Sequence, residues 1–246
     1  MKKIHHLTVK DGSCLYYETM GKGQPLILLH GNGGSSHFFA SQVKTLKKYY
    51  HLIVVDCRGR GHSSDCSHHI TYDLMVEDLE AIIRHENLGK VNLLGFSDGA
   101  NLALCYAQKY PHRIHSLILN AANRRFSDLT KEAQERFRTF SFVTKKLGQF
   151  IPEMRRRHHY FQLAFAEIPL QEKVLQNLNV PVLIMVGEND IVDIEFSRKL
   201  CSLFPNALLL VEPLVGHMFA RQKPTQYTNY IINFLENKAF QHRNVK

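Results

Sequence analysis

Apolar residues along this chain fall into short runs set apart by amphipathic stretches. Ile4–Lys10 and Cys14–Met20 read as two strands joined by the hairpin turn Asp11-Gly12-Ser13. Six short apolar runs, broken only by Asn92, follow at Leu26–Leu29, Leu52–Val55, Val91–Leu94, Leu117–Leu119, Val182–Val186 and Leu208–Val211. Strands apolar on both faces belong in a parallel sheet covered by helices. Helical spacing appears between them, over Phe38–Tyr49, Tyr72–His85, Asn101–Tyr110, Ile194–Phe204 and Thr225–Leu235. The alternation predicts a doubly wound α/β fold with an eight-stranded, mostly parallel sheet. Ligands of such sheets sit beyond the C-terminal ends of the strands, so chemistry is sought just after each apolar run.

One region breaks the alternation. From Arg124 to Gln176 there is no strand signal. Leu129, Ala133, Phe137, Phe140 and Leu147 recur at helical spacing, with Gly148 at the expected C-cap. Pro152 opens a second helix carrying Tyr160, Phe161, Ala164 and Phe165, which stops before Pro169. The expected organisation is a core of residues 1–123 and 177–246 interrupted by a helical insertion at 124–176. Gln241–Lys246 reads as a frayed tail.

Composition narrows the class only a little. No apolar run approaches the roughly 20 residues of a membrane span, and the basic start lacks the apolar stretch of a signal peptide. The five cysteines are scattered and odd in number, which suits reduced thiols and a cytoplasmic location. A formal charge of +9 could signal nucleic acid, but no such motif accompanies it and the cations form no single tract. No nucleic-acid, membrane or metal partner is expected. Paired histidines such as His5-His6 and His68-His69 lack metal-ligand spacing or a carboxylate companion.

The strand ends carry the chemical signal. Val91–Leu94 leads into Gly95-Phe96-Ser97-Asp98-Gly99 and a helical pattern, the strand–turn–helix context that gives G-x-S-x-G its meaning. A serine hydroxyl needs a base and donors for the oxyanion it creates. The glycine-rich His30-Gly31-Asn32-Gly33-Gly34 after the third strand supplies one candidate donor, the backbone N–H of Asn32, and Asp98 supplies the other. After Val186 come Glu188, Asp190 and Asp193; after Val211 comes Gly216-His217. A nucleophile, then an acid, then a histidine, each past a successive strand, is the order of a Ser-Asp-His triad. A rival reading makes the Gly31 loop a dinucleotide site with Asp56 on the ribose, but Ser36 stands where its third glycine should be. No role follows from the sequence for Asp56-Cys57-Arg58-Gly59-Arg60-Gly61-His62-Ser63 itself.

These five segments in this order resemble the α/β-hydrolase superfamily over about Leu15–Leu235. The resemblance implies Ser97 as nucleophile, His217 as general base and then acid, Asp190 as orienting carboxylate, and no cofactor. It also implies that the inserted helices form a small cap over the site. It does not fix the bond cleaved, since one fold hosts many reactions. A small carboxylic ester or related acyl substrate leads. A non-catalytic binding protein and a C–C hydrolase or lyase are the alternatives. Within residues 124–176, eleven Lys or Arg stand against six Asp or Glu. That excess either attracts an anionic acyl substrate or is a solvated helix face.

Overall fold

The fold was analysed in a computed structural model, which describes residues 1–67 and 69–236. The expectations for His68 and for the Gln241–Lys246 tail lie outside the described residues. The strands are β1 (Lys3–Thr8), β2 (Cys14–Met20), β3 (Pro25–Leu29), β4 (His51–Val55), β5 (Val91–Phe96), β6 (Ile114–Asn120), β7 (Val182–Asn189) and β8 (Ala207–Gly216). The helices are α1 (Ala40–Leu46), α2 (Tyr72–His85), α3 (Asp98–Lys109), α4 (Lys131–Leu147), α5 (Pro152–Phe161), α6 (Glu172–Gln176), α7 (Ile194–Ser202), α8 (Phe219–Gln222) and α9 (Pro224–Leu235).

All eight strands form one sheet in the order β1-β2-β4-β3-β5-β6-β7-β8. β1–β2 and β2–β4 pair antiparallel, and the other neighbours pair parallel. Alternate residues of each central strand serve opposite faces. Ile27 and Leu29 join a cluster with α2, α3 and α7, whereas Leu26 and Leu28 join a second with α1 and α9. Burial on both faces is why these strands read as near-continuous apolar runs rather than alternating ones.

Several boundaries differ from the periodic pattern: β8 runs past Val211 to Gly216, and the second inserted helix ends at Phe161, leaving Ala164 and Phe165 in a 3-10 turn at Gln162–Phe165. The stretch expected as one helix from Phe38 begins as a 3-10 turn at Ser36–Phe39 and becomes α1 only at Ala40. α3 starts at Asp98, earlier than its apolar pattern suggests, because the strained Ser97 immediately precedes its first turn. Between β6 and β7 the chain forms α4, α5 and α6. Phe161 anchors α5 by packing on Phe137 and Phe140 of α4 and on Phe165. Among the described residues no helix is long and apolar enough to cross a membrane.

Candidate active site

Ser97 follows β5 with φ 54° and ψ −122°, a left-handed conformation that non-glycine residues rarely adopt. The sequence permits it by keeping its neighbours small. A Cβ on Gly95 would lie 2.2 Å from the Gly99 carbonyl oxygen, and one on Gly99 2.1 Å from that of Leu29. The Ser97 N–H donates to Asn120 O at 2.8 Å, and its carbonyl accepts from Ala100 and Asn101 at 2.8 and 3.0 Å. The strained residue is thereby held from both sides.

His217 lies just past β8, its ring against Phe96 with centroids 4.8 Å apart. Its Nε2 is 3.1 Å from Ser97 Oγ, and its Nδ1 is 2.7 Å from Asp190 Oδ1. An ionised carboxylate only accepts hydrogen bonds, so Nδ1–H donates to Asp190 and the Nε2 lone pair faces the serine hydroxyl. Asp190 is buried after β7 and also accepts from the N–H groups of Val192 (3.2 Å) and Gly187 (3.3 Å). Of the three residues expected from the resemblance, His217 therefore lies within hydrogen-bond reach of both Ser97 and Asp190. The competing acids are used elsewhere. Asp193 caps α7 by accepting from Glu195 N–H at 2.9 Å, and Glu188 accepts from Leu214 N–H at 3.0 Å.

The two candidate oxyanion donors belong to residues joined through their side chains. Asn32 Nδ2 donates to Asp98 Oδ2 at 2.7 Å and reaches the Tyr160 carbonyl of α5 at 3.4 Å. Asp98 is buried, and burial raises its carboxyl pKa against the opposing pull of Arg60, Asn32 and Tyr72. The Arg60 guanidinium lies 3.6 Å from Asp98 and 5.4 Å from the centroid of the Tyr160 ring. Neither Arg60 nor Tyr160 was identifiable from spacing, because each meets Asp98 or Asn32 only through the fold.

The remaining sequence candidates have structural employment. His30 is buried, accepts from Cys57 N–H on Nε2 at 3.0 Å and donates from Nδ1 to Gly31 O at 2.7 Å. Burial lowers its pKa to about 4, so it stays neutral. Asp56 is buried and accepts from the N–H groups of Ser36 at 2.5 Å and His62 at 2.8 Å. That occupancy removes the carboxylate a ribose would need and disposes of the dinucleotide reading. Arg58 forks onto both oxygens of Asp78, at 2.7 and 2.5 Å, and bonds Asp11 and Ser13. The Asp56–Ser63 loop thus ties β4 to the β1–β2 hairpin and to α2.

A sequence model of the α/β hydrolase fold family matches residues 24–173. The chain belongs to the α/β hydrolase fold family. A thermophilic esterase from Thermogutta terrifontis is 26% identical, covers 96% of this chain and 98% of its own, and superposes with TM-score 0.77. The esterase EaEST from Exiguobacterium antarcticum is 25% identical, with 94% and 98% covered and TM-score 0.79. The human serine hydrolase BPHL is 27% identical over 73% of this chain and 68% of its own. This α/β hydrolase is an enzyme of the hydrolase class.

Proposed function

We propose that this hydrolase cleaves a small carboxylic ester, or a related lactone or thioester, through an acyl-enzyme on Ser97. The observation that carries the reading is the continuous hydrogen-bond chain Ser97–His217–Asp190 at 3.1 and 2.7 Å. Its similarity to two esterases supports ester over other acyl bonds. As Oγ bonds to the carbonyl carbon, its proton passes to Nε2, and Asp190 stabilises the imidazolium. The Asn32 and Asp98 backbone N–H groups receive the oxyanion. Collapse breaks the bond to the leaving group, which takes the proton back from His217. Water, deprotonated by His217, then attacks the acyl-enzyme and releases the acid and free Ser97.

In this reading α4–α6 form the cap, with Tyr160 brought to the Asn32 loop. The cap's basic side chains bear on the substrate less than its composition suggests. Arg124 pairs with Glu167 and Arg125 with Asp128, while Lys145, Lys146 and Arg155–Arg157 are exposed. A neutral small ester therefore fits at least as well as an anionic one. Five unpaired cysteines accord with a cytoplasmic setting.

The test is turnover of short p-nitrophenyl esters. Ser97→Ala should lose roughly four to six orders of magnitude in kcat and all labelling by a fluorophosphonate. Asp190→Asn should lose about 10⁴-fold, and Asp193→Asn should stay near wild type. Turnover by Ser97→Ala equal to wild type would sink the proposal.

A further inference from the structure

Large apolar side chains exposed singly are ordinary on a protein surface, but a contiguous group is not. Among the described residues, six of the ten exposed large hydrophobics fall within residues 140–151. Phe140 is also held by Phe161, but Phe142 is 62% and Phe150 83% exposed. Val143 and Leu147 are one helical turn apart on α4, and the Ile151 N–H donates to the Leu147 carbonyl, continuing that face around the turn. Phe142 lies beneath Lys146, whose Nζ is 5.7 Å from the ring centroid.

The charge around this face has one sign. Residues 138–157 hold six Lys or Arg and a single acid, Glu153, a net charge of +5. Glu153 is already bonded by Arg156 and Arg157 at 3.0 Å each. Exposed aromatic and aliphatic groups with cations beside them, Lys146 over Phe142 and Arg155 on the Gly148 carbonyl, match the two needs of a segment lying in a bilayer interface. The apolar groups enter the acyl boundary and the cations meet anionic headgroups. A second copy of the chain suits the face poorly, because a two-fold contact would set one +5 surface against another.

We propose that the C-terminal half of α4 and the α4–α5 turn dock on an anionic lipid bilayer. The consequence for the site is positional. α5 runs from this face to Tyr160, whose carbonyl meets Asn32, and its ten residues span about 15 Å at the usual helical rise. Docking would leave one short helix between the membrane-bound face and the Asn32 loop beside the candidate nucleophile. Acyl compounds arriving from the membrane would then be within the enzyme's reach.

Co-sedimentation of the full chain with vesicles tests this, using equal parts phosphatidylglycerol and phosphatidylcholine against phosphatidylcholine alone. The protein should pellet with the anionic vesicles, and added salt should weaken that binding. The Phe142→Ser/Phe150→Ser pair and the Lys145→Glu/Lys146→Glu pair should each weaken it about tenfold or more. Both pairs should keep wild-type turnover of a soluble ester. Ser97→Ala should bind as wild type does, which separates docking from the proposed chemistry. No binding, equal binding to neutral vesicles, or binding untouched by the phenylalanine changes would each overturn the proposal. So would a dimer, seen by sedimentation velocity without vesicles, that the phenylalanine changes dissolve.

Discussion

Asp98 poses the sharpest question at the scale of single residues. A buried carboxylate beside the position where negative charge develops should oppose catalysis unless its own charge is spoken for. Arg60 at 3.6 Å and the Asn32 amide at 2.7 Å supply that compensation. In the proposed mechanism the Asn32–Asp98 bond also links the two residues whose backbone N–H groups would receive the oxyanion. Asn32→Asp should therefore place two carboxylates together and cut kcat by about 10²-fold, the value of one oxyanion donor, with little change in KM. The swap Asn32→Asp/Asp98→Asn restores one amide and one carboxylate and should recover most of the loss. Steady-state kinetics on both proteins decides the matter. Recovery absent from the swap would mean that the side-chain bond does not position the donors. Asn32 and Asp98 could be picked out from the sequence for their backbones. That their side chains face each other could not, because 66 positions separate them and no local pattern encodes the meeting.

Among the elements, the α4–α5 pair is set by one small residue. Gly148 ends α4 with φ −64° and ψ −14°, an ordinary right-handed geometry, so it is not present for backbone freedom. It is present for space. A Cβ there would lie 2.8 Å from the Thr144 carbonyl oxygen and 2.9 Å from Arg155 Cα. Gly148→Ala should push α5 from α4 and cost about 1–3 kcal/mol, as overpacking does, measurable as a lower Tm. Gly89→Ala is the matched control, since nothing lies within 4 Å of its added carbon. If the two variants melt alike, close approach is not what Gly148 provides. Helical periodicity was enough to expect a helix on either side of Gly148 and a stop at it. How closely the second would fold back had no signal in the sequence.

On the scale of the whole molecule, buried charge joins parts that are distant along the chain. Arg58, almost wholly buried, bonds Asp78 of α2 and Asp11 of the first hairpin. Asp65 continues the set and meets His159 of α5 at 3.0 Å. Removing the cation strands its carboxylates, so Arg58→Ala should cost about 3–5 kcal/mol, read from denaturant unfolding. A near-neutral result would contradict this role. Acid should act through Asp56. Burial raises its pKa, but the N–H groups of His62 and Ser36 outweigh burial and leave it below the ordinary 3.8. A carboxyl lowered on folding lends stability that is complete above its unfolded pKa and is lost as pH falls through its folded one. Tm should therefore drop below about pH 4. Asp56→Asn, although less stable at neutral pH, should show a shallower drop.

The sequence by itself determined the strand and helix alternation, the strained turn at Ser97 and the rim positions after each strand. All of these are local, written in apolar periodicity and in residues small enough for a tight turn. Tertiary structure decided which acid meets His217, what the side chains of Asp56, Arg58 and Asp98 do, and where α5 lies. Those outcomes depend on distances between segments tens of residues apart. A few ångströms there separate a hydrogen bond from no contact, and no pattern of neighbouring residues records that separation.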